Sequence, residues 1–77
     1  MRVYYLLYEF GMHHVWIRVS HDMFEKVLAD MSTEFEIHKE VNIDDFSITN
    51  VWVTNYWGDR QDIAYYQEIL PSDNDKE

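Results

Sequence analysis

The sequence predicts an α+β domain in which an antiparallel sheet of four to five strands carries one helix on one face. Three observations lead to this prediction: several runs of strand-forming residues alternate in polarity, one segment has an apolar stripe with helical spacing, and short polar or glycine-containing turns separate them. The chain has 77 residues and no cysteine, which allows one small core without disulfides. We expect a single acidic domain over residues 1–70 and a flexible acidic tail over residues 71–77.

The first two elements are predicted to form a β-hairpin. Residues 2–10 are rich in strand-forming side chains and stop at Gly11. Residues 14–19 then alternate, with Val15, Ile17 and Val19 on one side of the chain. The two runs predict a hairpin whose loop lies around Gly11 to His13.

The third element is predicted to be a helix over residues 21–31. Ser20 is a favourable N-cap, and Asp22 and Glu25 lie in the first turn, where the helix dipole favours acids. An apolar stripe attaches the helix to the sheet, and its residues are Met23, Phe24, Val27, Leu28 and Met31.

The next two elements are predicted to be strands. From Thr33 the apolar residues recur with a period of two, and Glu34, Glu36, His38 and Glu40 share the other parity. This pattern predicts a strand with one solvated face. Residues 42–45 supply a turn, and residues 46–57 return as a further strand.

The last element, residues 60–70, fits two structures. The pair Gly58-Asp59 suits a two-residue hairpin turn, which predicts a strand, whereas Asp59 as an N-cap predicts a helix carrying Ile63, Tyr66 and Leu70. We favour the strand and hence the order ββαβββ. The alternative order is ββαββα.

Both faces of the predicted sheet are rich in apolar side chains, and a helix of three turns covers only one of them. Contiguous exposed apolar surface indicates an interaction site, so we expect a partner on the second face, most simply a second copy of the chain. The alternative is that twisted strands and a C-terminal helix cover these rings. The residues predicted for self-association are Tyr4, Tyr8, Trp16, Trp52 and Tyr56.

Charge gives the strongest indication of function. The chain has 15 Asp and Glu against 6 Lys and Arg, a net charge of −9, together with four Phe, three Trp and six Tyr. Disordered acidic segments lack aromatic residues, so we expect a folded acidic surface. Such a surface repels nucleic acid and anionic lipid and attracts proteins with basic clefts.

One segment concentrates this charge. On a strand, Glu34, Glu36 and Glu40 would form a row of carboxylates spaced by about 6.6 Å per two residues. Imitation of a duplex backbone needs a second row, because each DNA strand carries one charge per roughly 3.4 Å of axis. A solvated sheet face is the alternative explanation. The residues predicted to supply the second row are Asp44, Asp45, Asp59 and Asp62.

The sequence predicts no enzyme, cofactor or metal site. The four histidines lack the spacing that binds a metal, no glycine-rich phosphate loop is present, and no spacing links a nucleophile to a base. No apolar run has the length of a secretory signal or a membrane span, so we expect a cytoplasmic protein. The function is therefore expected to be binding.

In size, charge and lack of catalytic motifs, the chain resembles the small acidic inhibitors that bacteriophages make against host nucleoid proteins, restriction enzymes, CRISPR effectors or uracil glycosylases. This resemblance implies an acidic DNA mimic that occupies the nucleic-acid-binding site of a basic DNA-binding protein. No site residue is carried over from it. The alternative function is a small structural or adaptor subunit that associates through its aromatic sheet face, with the acidity serving solubility.

Overall fold

Five antiparallel strands and one helix make up the computed structural model, which describes residues 1–69. The elements are β1 (Arg2–Phe10), β2 (His13–Val19), α1 (His21–Met31), β3 (Ile37–Val41), β4 (Ile48–Thr54) and β5 (Arg60–Glu68). The α+β class, with one antiparallel sheet and one helix, is confirmed. The tail predicted for residues 71–77 lies outside the described residues.

The strands are arranged in the order β2-β1-β5-β4-β3, so β2 and β3 are the two edges of the sheet. β1 and β2 form a hairpin in which Phe10 lies opposite His13. Its turn is Gly11-Met12, shorter than the predicted loop, and Gly11 has a φ of 59°. Glycine with positive φ at the first central position is typical of a type II′ turn, which matches the twist of the flanking strands.

The helix packs over the middle strands, and one residue of each edge strand, Val19 of β2 and Ile37 of β3, packs against the core that the helix covers. Ser20 caps it, because the Ser20 hydroxyl accepts a hydrogen bond from the Met23 amide at 3.2 Å. Phe24 and Leu28 are the buried residues of the helix. They form one cluster with Leu6 of β1, Val51 of β4 and Ala64 of β5.

The segment after the helix differs from the prediction. Residues 33–36 were expected to begin a strand, but the amides of Glu34 and Phe35 both bond to the carbonyl of Met31. These bonds satisfy the last carbonyl of the helix and turn the chain, so β3 begins only at Ile37. Glu34 therefore lies in a turn and not on the strand.

The predicted bounds of the next strand were also too wide. Residues 46–47 belong to the turn before β4, and residues 55–57 belong to the turn after it. The loop of this second turn has three residues, Tyr56, Trp57 and Gly58, and not the two that were predicted. The Gly58 amide bonds to the Asn55 carbonyl, and the Asn55 amide bonds to the Asp59 carbonyl. Gly58 has a φ of 83°. A type I turn followed by a left-handed glycine has this pattern.

β5 contains a bulge. Val51 of β4 pairs with Ala64, but the next residue, Trp52, pairs with Asp62, so Ile63 has no partner on β4. Ile63 packs against the core cluster instead. Beyond the bulge, Asp62 and Arg60 are directed to the face of the sheet opposite the helix, the same face as Trp52.

Candidate interaction surfaces

Acidic side chains follow the β3 edge of the sheet from one end to the other. Glu34 and Glu36 precede β3, Glu40 lies within it, and Asp44 and Asp45 follow it in the turn to β4. β3 is an edge strand, so this surface faces solvent along one side. We call these five residues the acidic edge.

Glu34 is fixed at one end of the acidic edge by an aromatic residue. The Tyr56 hydroxyl donates a hydrogen bond to the Glu34 carboxylate at 3.2 Å. The Tyr56 ring also packs against Phe35, with 5.1 Å between ring centroids. The hydrogen bond, followed by the negative charge of Glu34, raises the pKa of the Tyr56 hydroxyl above its ordinary value.

Glu40 shares a cation, Arg60, with Asp62. Arg60 donates to Glu40 at 2.9 Å and to Asp62 at 3.0 Å. These hydrogen bonds, the one to Asp62 foremost, raise the pKa of the Arg60 guanidinium. All three side chains remain substantially exposed.

The turn at the other end of the acidic edge is built by side-chain hydrogen bonds. Asn42 accepts from the amides of Asp44 and Asp45. The Asp45 carboxylate accepts from the Ser47 hydroxyl at 2.6 Å and from the Ser47 amide at 3.0 Å. The two hydrogen bonds from Ser47, that of the hydroxyl foremost, lower the pKa of the Asp45 carboxyl. Asp45 thus has a structural role in the turn as well as a place on the edge.

The four acids proposed as a second row are not adjacent. Asp44 and Asp45 lie in the turn before β4, whereas Asp59 lies in the turn after it and Asp62 lies near the start of β5. The seven residues of β4 separate the two turns by about 20 Å. No second row parallel to the first is formed by these residues.

The aromatic residues predicted to form one face are divided among three places. Tyr4 lies on the helix side, where its ring contacts Phe24 at 4.8 Å, and Tyr8 shares that side. Trp16 and Trp52 lie on the opposite face, which the helix leaves open. Tyr56 lies in the β4–β5 turn. Tyr4 and Tyr8 share one side of β1, and the register of the hairpin places Trp16 on the other side.

The open face has an aromatic cluster of which the site prediction included Trp16 but neither tyrosine. Tyr5 of β1 and Tyr65 of β5 lie opposite each other with stacked rings 4.6 Å apart, and Trp16 meets Tyr65 edge-on at 4.8 Å. Burial, followed by the proximity of Tyr5, raises the pKa of Tyr65. We call Tyr5, Trp16 and Tyr65 the aromatic platform. The alternation of side chains along the first hairpin places Tyr5 on the same face as Trp16. The face of Tyr65 could not be predicted, because residues 60–70 fitted either a strand or a helix.

A cleft opens between α1 and the sheet where β1 and β5 separate. Its volume is about 400 Å³. Leu6 and Ala64 are the last residues at which β1 pairs with β5. Beyond this pair no ladder of backbone hydrogen bonds joins the two strands. The lining residues are Leu6, Leu7, Tyr8, Glu9, Val27, Met31, Gln61, Asp62 and Ile63.

Comparison of the chain with protein-family models, with curated proteins and with solved structures gave no match. Within residues 1–69, no group of three or more His, Asp or Glu side chains is arranged to hold a metal ion. In the same part of the chain, no helix has the length and apolar character needed to cross a bilayer. The two surfaces that remain as candidates are the acidic edge and the aromatic platform.

Proposed function

We propose that this protein is a binding protein whose acidic edge occupies the nucleic-acid-binding site of a basic DNA-binding protein and blocks it by competition. The observation that supports this proposal is the uneven distribution of charge across the sheet. Residues 34–45, which span the β3 edge, contain five acids and one base, whereas residues 10–21, which span the β2 edge, contain no acid. The β3 edge is therefore the more negative of the two edges, and a basic cleft can meet it there.

The acids of this side are available to a partner. The Glu36 side chain is 84% exposed, and its carboxylate lies 4.0 Å from the imidazole of His38. Asp44 lies in an exposed turn. Exposed carboxylates of this kind bind Arg and Lys side chains through charge-assisted hydrogen bonds, with Arg able to bind in bidentate fashion.

The carboxylates along the edge are spaced more widely than the phosphates of one nucleic-acid strand. Glu36 and Glu40 are four residues apart, which is about 13 Å on an extended chain. One DNA strand presents about four phosphates over that axial distance. The edge carries fewer charges than the backbone, so we expect binding to be reversed at moderate salt, where charges beyond a Debye length of about 8 Å are already screened.

The proposal is tested by using the protein as bait in a bacterial lysate and eluting bound proteins with a salt gradient. Recovery of basic DNA-binding proteins, such as nucleoid-associated, restriction or CRISPR proteins, is expected, with release at moderate salt and displacement by added duplex DNA. A bound protein that is neutral or acidic, resists salt and ignores duplex DNA would contradict the proposal.

The aromatic platform supports a second candidate, a structural or adaptor subunit that binds a partner through the open sheet face. Trp16 is 43% exposed, and the helix covers none of this face. Aromatic side chains with this exposure are enriched in protein interfaces. Binding through the platform is expected to persist near 1 M salt and to be lost in Tyr65→Ala, while replacement of acids on the acidic edge leaves it intact.

A further inference from the structure

The β2 edge of the sheet has few of the features that usually protect an edge strand. β2 has seven residues, contains no Pro and one formally charged residue, Arg18, and pairs with β1 in an unbroken register. The other edge strand, β3, has five residues and carries Lys39 and Glu40. Native proteins normally blunt their edges with charges, prolines, bulges or short strands, because an unprotected edge pairs with another chain.

The hairpin geometry determines which backbone groups of β2 are free. Phe10 and His13 flank a two-residue turn, so they form a hydrogen-bonded pair, and alternate residues from His13 onward bond to β1. The amides and carbonyls of the intervening residues point away from β1. These residues are His14, Trp16 and Arg18.

The side chains of β2 are suited to contact with an identical strand. On the helix side, Val15 and Ile17 are 43% and 37% exposed, beyond the area that α1 covers. On the open face, Trp16 lies between His14 and Arg18. The segment from residue 10 to residue 21 contains no acid in a chain of net charge −9, so two copies of β2 meet without opposed carboxylates.

We propose that a second copy of this chain pairs antiparallel with β2 around a two-fold axis at Ile17, which joins two five-stranded sheets into one of ten strands. This inference is independent of the proposed function. The axis places Trp16 of each copy opposite Arg18 of the other copy. It also places Val15 of each copy opposite Val19 of the other copy. The open faces of both copies then lie on one side of the ten-stranded sheet and the two helices lie on the other. This follows because antiparallel pairing around such an axis preserves side-chain parity.

Cross-strand chemistry selects this register. With the axis at Trp16, each Arg18 would face the imidazole of His14 of the second copy, and no Arg18 would lie opposite an indole. With the axis at Ile17, each Arg18 meets an indole, which supplies a cation–π contact. In this register Trp16 of one copy and Arg18 of the other form a hydrogen-bonded pair, so the outward-pointing amides and carbonyls of both residues gain partners.

The net charge does not oppose this dimer. β2 lies at the centre of the ten-stranded sheet and β3 at each outer edge. Nine strand spacings of about 4.8 Å separate the two acidic edges by roughly 43 Å. That distance is several times the Debye length of about 8 Å at physiological salt, so the carboxylates of the two copies are screened from each other.

The first test is the solution mass of three proteins. The unmodified protein is expected to show twice its 9.4 kDa chain mass by light scattering, Ile17→Lys to show the monomer mass, and Val41→Lys to retain the dimer mass. Val41 is the matched control, because it is an exposed β-branched residue on the other edge strand. A monomeric unmodified protein, or equal effects of the two lysines, overturns the proposal. Species that grow beyond the dimer indicate β2-to-β3 joining and also overturn it.

The second test uses single cysteines, since the chain has none. At the axis, the two Cα atoms of a non-hydrogen-bonded pair are about 4.5 Å apart, within the range of about 4.4–6.8 Å for a disulfide. We expect Ile17→Cys to form a disulfide-linked dimer on mild oxidation. Val15→Cys is expected to remain unlinked, because its counterpart is about 13 Å away. Linkage at residue 15 without linkage at residue 17 overturns the proposed pairing, and this test also works if Ile17→Lys fails to fold.

Discussion

The guanidinium of Arg60 lies over the ring of Trp52, 4.8 Å from its centroid. His38, on the strand next to Trp52, stacks against the same indole with 4.2 Å between ring centroids. The Trp52 indole nitrogen is covered and has no hydrogen-bond partner. Trp52 is thus held within the open face by its neighbours and does not project as a free ring, which is why it does not belong to the aromatic platform.

Removal of Arg60 is expected to uncover Trp52. In Arg60→Ala the cation–π contact is lost, and Glu40 and Asp62 lose the cation they share. We expect a red-shifted Trp52 emission and stronger acrylamide quenching, measured with selective tryptophan excitation in a background with Trp16→Phe and Trp57→Phe, so that Trp52 is the single tryptophan. Arg18→Ala is the control, since two strands separate β2 from β4. Equal quenching in both variants would show that Arg60 does not cover the ring.

The contact between Tyr56 and Glu34 predicts a pH dependence. The folded protein holds the Tyr56 pKa above its ordinary value of 10.0, so its contribution to stability is present below pH 10 and is lost as the pH rises through the folded pKa. In Glu34→Gln the pKa of Tyr56 should return toward its ordinary value. The tyrosinate absorbance titration should therefore lose a component at high pH and gain one near that ordinary pKa. Tyr65 serves as an internal control, because burial and not Glu34 raises its pKa. Superimposable titrations of the two proteins would refute the contact.

The helix and the first hairpin could be predicted because local signals determine them. Ser20 and the apolar stripe define a helix at residues 21–31, and the structure has α1 at His21–Met31. Gly11 marks the hairpin turn, where positive φ is required. Period-two alternation correctly places Val15 and Ile17 on one side of β2.

The parts that sequence reasoning missed depend on long-range contacts. Glu34 fits a strand pattern, but hydrogen bonds to Met31 keep it in a turn. Glu40 and Arg60 are twenty residues apart, and only the pairing of β4 with both β3 and β5 brings them together. The bulge at Ile63 sets which side Asp62 faces, and no spacing in the sequence indicated it.

Loss of the helix cap should destabilise the fold measurably. Ser20→Ala removes the oxygen that accepts from the Met23 amide, a change that typically costs about 0.5–2 kcal/mol. For a chain of this size, each 1 kcal/mol corresponds to a fall of about 4–8 °C in Tm. Ser20→Asp keeps a capping oxygen and should remain near the unmodified Tm in a thermal melt followed by circular dichroism. Equal melting of Ser20→Ala and Ser20→Asp would mean that the cap does not contribute.

Enlargement of Ala64 should disrupt the contact between helix and sheet. Ala64 is 1% exposed and packs in the cluster with Phe24 and Leu28. Ala64→Leu inserts three carbon atoms where no space exists, and such overpacking costs about 1–3 kcal/mol. Ala29→Leu, on the exposed side of α1, is the control and should stay within about 0.5 kcal/mol of the unmodified protein in urea unfolding. A neutral Ala64→Leu would show that the helix does not pack tightly at this position.

The acidic edge gives the prediction most closely tied to function. The change is Glu34→Gln, Glu36→Gln and Asp44→Asn together; Glu40 is spared because it forms a salt bridge with Arg60, and Asp45 because its carboxylate accepts two hydrogen bonds from Ser47. Affinity for a basic DNA-binding protein recovered with the bait should fall at least about tenfold, or 1.4 kcal/mol. Its dependence on salt should also become shallower, because fewer opposed charges remain to be screened.

The control for this prediction must change the net charge equally without touching the acidic edge. Asp22→Asn, Glu25→Gln and Asp30→Asn together remove three charges from the exposed helix surface. If position matters, this variant binds nearly as well as the unmodified protein, and isothermal titration of the two triple variants separates them. If both variants lose affinity equally, the partner responds to total charge, and the acidic edge is not a docking site. If neither loses affinity, the aromatic platform becomes the surface to mutate.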